Sequence, residues 1–342
     1  MKTLSSLLAT TSLITCLCAS NLHATTWDEP WQKEIISDTD SIVRVSVTKA
    51  EPKRVDFRVL KHIAGEEVPK SGALVGFSKL KFGSYSVEED GFRFREGREY
   101  YLFLEETEKT GEYKIATPTA GFASTKDGQT TATYRHSYHQ AYVTDPVYEM
   151  SIIAIFKALK NQKPDLSKAR AYIASELAKK PADIPDEVDS EEFRRFCSQH
   201  VALEMLYCLG GGDAAQLEPF LTHKNRHGQI SAVRALGRLS KEVSQPRLLA
   251  FIEAKDRDSF AKVLAVWALR DSGAKDAAPK LKRILETTED QESGFGGNIM
   301  DPRVGTHFPG SVHKAIAEVL ASWDKSIEQG VGGQPATRPE SK

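Results

Sequence analysis

Cysteine is scarce in this chain: four among 342 residues, two of them at positions 16 and 18. A disulfide-stapled scaffold, which is cysteine-dense, is therefore excluded. An excess of one charge is also missing, because 46 basic residues face 47 acidic ones, for a net charge of −1. Without a basic surplus there is no electrostatic footprint of a nucleic-acid binder, and no nucleic-acid partner is expected. Long apolar runs are absent as well. A spanning helix needs about 20 apolar residues, and the densest run past the N-terminus is only Ile152 to Phe156, so no transmembrane segment is expected. The strong enzyme signatures are missing too: no His-Glu-x-x-His, no phosphate loop, no Gly-x-Ser-x-Gly elbow. Ser-x-x-Lys spacings begin at Ser46, Ser259 and Ser322, but they lack partner motifs and read as strand face, helix cap and helix surface. No catalytic residue and no cofactor is assigned.

What is present begins with an address. Lys2 precedes a mildly apolar stretch from Leu4 to Ala19, small residues follow, and the first acids are Asp28 and Glu29. That order is the layout of a secretory signal, so residues 1–24 are read as a signal peptide cleaved after Ala24, with Ser20 as second choice. Leu13-Ile14-Thr15-Cys16 resembles a lipobox, but Thr15 stands where that motif prefers Gly, Ala or Ser. A lipid anchor at Cys16 is therefore the less favoured alternative. The expected location is exported, periplasmic or secreted.

The rest of the chain has two periods. Val43, Val45 and Val47 alternate with Arg44, Ser46 and Thr48, and Val55, Phe57 and Val59 with Asp56 and Arg58. This period of two is that of strands with one buried face. Further strands are expected at 73–79, 99–105, 112–118 and 131–135, separated by glycine-bearing turns, after a short helix near 30–37. After Asp145 the period becomes helical: 147–160, 167–179, and then helices alternating with short turns as far as Trp323. The predicted organisation is a β-rich barrel-like domain over 25–145, a helical repeat domain over 146–326 and a disordered tail over 327–342, where Gly and Pro abound.

The helical half repeats. Ile230 to Leu239 is followed by a second amphipathic helix, and Val263 to Arg270 by another, with Leu236 and Leu269 in equivalent places 33 residues apart. Leu206 and Leu320 occupy the same place upstream and downstream. A single helical hairpin cannot bury its apolar face, whereas stacked hairpins share one core. Residues 191–324 resemble a HEAT-repeat array of the short bacterial, PBS-lyase-like type, carried best by Ser231-Ala-Val-Arg-Ala-Leu-Gly-Arg-Leu239. The resemblance implies an armadillo-type α-solenoid that works as a binding scaffold. In the first half, residues 40–47, 55–65 and 94–104 resemble the OB-type barrel of the netrin/TIMP superfamily. Together these resemblances imply a small antiparallel β-barrel followed by a HEAT-type α-solenoid. The TIMP inhibitory mechanism does not carry over, since no cysteine lies between residues 19 and 196 and Thr25 would be the first mature residue.

Three places draw attention as sites. Aligning the repeats on Leu206, Leu236, Leu269 and Leu320 puts Glu204, Arg234, Trp267 and Glu318 in one column, about 200° around the helix from the aligned leucine. The column should face away from the core, with Glu204 and Arg234 able to pair; Trp267 is either an exposed anchor or folded back onto Phe260 or Val263. The interruption at 287–310 mixes Gly and Pro with Phe295, Met300 and Phe308 and is read as a partly ordered binding loop. The cluster from Tyr134 to Tyr142 holds His136 and His139 without a third metal ligand nearby in sequence, and is read mainly as interdomain packing. Cys197 and Cys208 fall about 16 Å apart on one predicted helix, too far for a disulfide, and are expected as buried free thiols. The function expected is that of an exported, non-enzymatic binding or scaffold protein engaging a protein partner through its repeats. Two alternatives stay open: a secreted enzyme with a site at the domain junction near 134–142, and a protease-inhibitor-like module with a wedge at 81–94.

Overall fold

The computed structural model describes residues 27–51, 53–76, 94–137, 139–188, 190–293, 303–304 and 309–330. The signal peptide, most of the 81–94 wedge, and Phe295, Met300 and Phe308 lie outside the described residues.

In chain order the first elements are β1 (Trp27–Asp28), α1 (Gln32–Asp38), β2 (Ser41–Glu51), β3 (Arg54–Gly65), β4 (Ser71–Val75), β5 (Glu99–Glu106), β6 (Glu112–Lys114), β7 (Phe122–Lys126), β8 (Gln129–Thr133) and β9 (Gln140–Thr144). The sheet runs β2-β3-β4-β6-β5-β7-β8-β9, and β2 also pairs with β5, so the first five strands of that order close into a barrel. Closure removes the exposed edges of these strands. One pair, β4 with β6, is parallel, because β6 inserts between β4 and β5 after β5 has already reversed direction. The barrel interior is the alternating set read from the sequence: Val43, Val45, Val47, Val55 and Phe57 meet Leu74, Leu102, Leu104 and Tyr113. Phe94 is buried with them, which removes it from any exposed wedge.

Two strands the period does not mark, β7 and β9, extend the sheet past the barrel. β7 and β8 form a tight hairpin through Asp127 and Gly128, both at positive φ, the backbone that a two-residue Asp-Gly turn requires. β8 ends at Thr133, so Arg135, His136 and His139 lie in the connection to β9 rather than on a strand.

The helices follow: α2 (Asp145–Leu159), α3 (Ser167–Leu177), α4 (Glu191–Leu209), α5 (Ala214–Thr222), α6 (Arg226–Leu236), α7 (Lys241–Glu253), α8 (Ser259–Asp271), α9 (Ala278–Thr287) and α10 (Val312–Gly330). α10 continues through the first four residues of the tail expected from residue 327. Ser190, Asp213, Asn225 and Asp258 cap α4, α5, α6 and α8 with side-chain oxygens, satisfying amides a helix start leaves bare. α4, α6, α8 and α10 pack in sequence, with α5 and α7 set against their neighbours in a second row. The aligned residues Leu206, Leu236, Leu269 and Leu320 are all buried.

α2 seats the helices on the sheet, packing on β3, β8, β9, α1, α3 and α4. Its first residue, Asp145, is buried; it accepts from Thr125 Oγ1 and Thr130 Oγ1, both at 2.7 Å, and pairs with Arg44 at 3.0 Å. One contiguous apolar cluster runs from Ile35, Ile42 and Tyr101 through Tyr148 and Ile152 to Leu236, Leu269 and Trp323. The base of the 287–310 interruption is tied down: Ser293 N donates to Gly310 O and Val312 N to Gln291 O. Arg303–Val304 forms β10, a parallel pair with β1. Cys197 and Cys208 sit on α4 as buried free thiols, and burial pushes the Cys208 thiol up to about 12.

Candidate functional site

Two features meet where the sheet joins the helices. The first is a buried polar network. Its hub is Glu204, which is fully buried on α4. Ser231 Oγ on α6 donates to Glu204 Oε1 at 2.6 Å, Arg234 lies 3.2 Å from Oε2, and Arg135 lies 3.9 Å from Oε1. Arg135 also donates to Ser231 Oγ at 3.1 Å and faces His227 Nδ1 at 3.4 Å. Burial brings the Arg135 guanidinium down to about 10, which leaves it charged at neutral pH.

This placement corrects the column reading. Glu204 does not face solvent, and Arg234 has only a tenth of its side chain exposed. The helical-wheel argument assumes one buried face, but α4 is enclosed by α2, α3, α6 and β9, and a helix packed on both sides has no free polar face. The expected pairing of Glu204 with Arg234 does occur, as a buried contact. Trp267 is half-buried, with Arg270 over its ring at 5.5 Å, and Glu318 is exposed.

Around the network three imidazoles cluster, His139 stacked on His200 and edge-on to His227. His139 lies 4.1 Å from His200 and 4.5 Å from His227, centroid to centroid, with Phe196 beside His139 and His227. The sequence grouped His139 with His136 and not with His200 or His227, because these partners arrive from α4 and the start of α6. His136 turns away to Trp31 and the Glu29 carbonyl. Burial, followed by the neighbouring rings and Arg135, holds His139 and His200 well below the usual imidazole range; burial and Arg135 bring His227 to about 4. All three are neutral at pH 7. Among the described residues no group of three or more His, Cys, Asp or Glu is arranged to hold a metal. Ser231, His200 and Glu204 carry the residue types of a nucleophilic triad, but the polarity is wrong. Ser231 donates directly to Glu204 at 2.6 Å and accepts from Arg135 at 3.1 Å, with His200 Nδ1 farther off at 3.4 Å, whereas a nucleophile needs to give its proton to an imidazole. The cavity beside His200 and His227 is about 10 Å³, space for one water at most.

The second feature is a groove of about 840 Å³ on the other side of Arg234. Its walls come from α1, α4, α6, α8 and the turn into α7. Trp31, Tyr207 and Trp267 supply aromatic surface, and Lys33, Arg234 and Arg238 supply charge. The Arg234 guanidinium lies over two rings, 4.4 Å from the centre of Trp31 and 4.1 Å from that of Tyr207, within cation–π distance of both. Of the seven candidate residues, Arg234 and Trp267 therefore share one surface, Glu204 lies beneath it, and Glu318 is outside it. Lys33, Arg238, Trp31 and Tyr207 were not visible as site residues: α1 is short, and nothing in its sequence says it will lie across α4 and α6.

Comparison with protein-family models, with curated proteins and with solved structures finds no match for this chain.

Proposed function

We propose that this chain is a non-enzymatic binding protein that engages a protein partner through the groove between α1 and the helical array. The observation that carries the reading is the groove itself: about 840 Å³, in the size range of ligand sites, with aromatic walls around Lys33, Arg234 and Arg238. Arg, Trp and Tyr are the residues that dominate binding hot spots. The barrel's strand order, with its parallel pair where the fifth strand inserts, supports an OB-type assignment. The buried leucines recurring along α4, α6, α8 and α10 support a HEAT-type array. Export through residues 1–24 belongs to the same reading; N-terminal sequencing of the native protein should begin at Thr25, and a native N-terminus at Met1 would remove it.

The junction near 134–142 is less suited to chemistry. Its imidazoles are packed against one another, its serine is buried and bonded to a carboxylate, and the cavity beside His200 and His227 is only about 10 Å³. The partner reading is tested by placing a photo-crosslinking residue at Ser37 or Ser272 on the groove, and at Lys282 on α9 as a control, in the producing cell. A protein adduct from the groove positions and not from the control supports it. No adduct, or the same adducts from all three, removes the groove as the partner surface.

A further inference from the structure

The groove holds more positive charge than its own carboxylates neutralise. The Lys33 ammonium lies 5.3 Å from the centre of the Tyr207 ring, the same ring that Arg234 lies over. Arg238 follows Arg234 by four residues and lies on the same wall. Among the described residues, neither Lys33 nor Arg238 has a carboxylate within ion-pair distance. Other groove charges are already engaged: Glu34 accepts from Trp31 N at 2.9 Å, Asp271 from Arg270 at 2.9 Å, and Lys241 pairs with Asp276 at 2.5 Å. Arg234 has Glu204, but that carboxylate is shared with Arg135, and Arg234 Nε, although buried, has no acceptor among the described residues. Lys33 is held below the usual lysine range, first by burial and then by Arg238 and Arg234. These cations disfavour one another, and an anion seated among them would relieve all three.

We propose that Lys33, Arg234 and Arg238 form a receptor for the carboxylates of an acidic peptide segment on a protein partner, with Trp31, Tyr207 and Trp267 receiving the apolar side chains that flank it. This rests on the reading of the groove as the partner surface and adds the chemistry of what it takes. A short acidic segment fits better than a continuous polyanion. Glu34, Asp38 and Asp271 line the same groove, so a phosphate chain would meet repulsion along its length, while one or two carboxylates at the cationic wall would not. The net charge of −1 gives no long-range attraction for nucleic acid or an anionic bilayer.

The test is isothermal titration of the full mature chain with a hexaglutamate peptide ending in two leucines, beside its hexaglutamine counterpart, oligothymidylate and phosphatidylglycerol vesicles. The glutamate peptide should bind more tightly than the glutamine peptide by roughly tenfold or more, as expected for losing a charge-assisted contact, and should weaken with added salt. The pair Lys33→Gln and Arg238→Gln should abolish that preference with the thermal midpoint unchanged. If the pair unfolds, Arg238→Gln alone, at an exposed position, must lower the affinity for the glutamate peptide. Equal affinity for both peptides, or a preference that survives the variants, overturns the proposal. Tighter binding of oligothymidylate or vesicles, lost in the same variants, overturns it in favour of that class. A groove crosslink with no glutamate preference removes the acidic chemistry and keeps the partner surface; glutamate binding without any crosslink does the reverse.

Discussion

At the residue scale, Glu204 shows what one buried carboxylate can organise. It stands between Arg135 and Arg234 and accepts from Ser231. Glu204→Gln leaves two buried guanidiniums facing a neutral amide, and removing one partner of a buried pair costs about 3–5 kcal/mol. The urea midpoint should fall accordingly, while Glu318→Gln on the exposed face of α10 should stay within about 0.5 kcal/mol. The imidazoles add a pH dependence whose sign is fixed by their environment. His139, His200 and His227 are depressed in the folded chain, so the unfolded chain binds protons first. Their contribution is complete above about pH 6.5. It is lost as pH falls from there towards their folded values, which for His227 is about 4. Urea midpoints measured between pH 7.5 and 4.5, values chosen to span about 6.5, should decline less steeply in His227→Gln than in the wild type. The slope decides, since the substitution also changes the level. An unchanged slope would show that His227 is not held neutral. Here the sequence was only partly legible. The Tyr134–Tyr142 cluster stood out by composition, but what His139 stacks on comes from elements far along the chain, and local pattern carries no information about that meeting.

At the element scale, periodicity served well where an element has one buried face and failed where it has two. β2 and β3 alternate in the structure as in the sequence, and α2 and α3 begin within two residues of their expected starts, while α6 and α8 begin four residues before the Ile230 and Val263 of the repeat. β7 and β9 were missed, since Phe122–Lys126 and Gln140–Thr144 are only five residues each and bury just two small or medium side chains apiece, Ala123 with Thr125 and Ala141 with Val143. Glu204 was misplaced because α4 is central, and Glu318 was placed correctly on α10, which has fewer neighbours. Close packing between elements is also concentrated at single small residues. A Cβ added to Gly237, at the end of α6, would lie 2.7 Å from the Cβ of Ala268 on α8. Gly237→Ala must therefore push α6 from α8, and overpacking of this kind costs about 1–3 kcal/mol. Gly273→Ser tests a different cost, since its added atom meets nothing but its φ is positive. The two should separate in a groove readout: Gly237 lines the groove, so its substitution should weaken crosslinking from Ser37 as well as lower stability, and Gly273→Ser should lower stability alone.

At the scale of the whole molecule, the change of period near residue 145 coincides with the start of α2, yet the packing does not stop there. Asp145 binds Thr125, Thr130 and Arg44 from the sheet, and the residues just behind it, Tyr148, Ile152 and Ile155, are buried between sheet and helices. The outer face of the barrel, α1 and α2 share a single apolar cluster with the array down to α10, and the groove exists because α1, packed on α2 and β5, faces α4 and α6, with Lys33 over Tyr207 and Trp31 on Arg234. Units joined by a continuous core exchange a large buried area on separation, unlike the modest and more polar interfaces between independently moving domains. Unfolding should therefore be one cooperative event. Helical circular dichroism reports on α2 to α10, while a probe attached to a cysteine introduced at Ser46 on β2 reports on the barrel. In urea the two curves should share a midpoint and a slope, and Asp145→Ala should move both together, because it leaves two threonine hydroxyls without their acceptor at the seam and Arg44 with Glu99 alone. Two separate transitions, with Asp145→Ala shifting only one, would mean that the barrel and the array hold themselves together independently and that the groove between them opens without unfolding either.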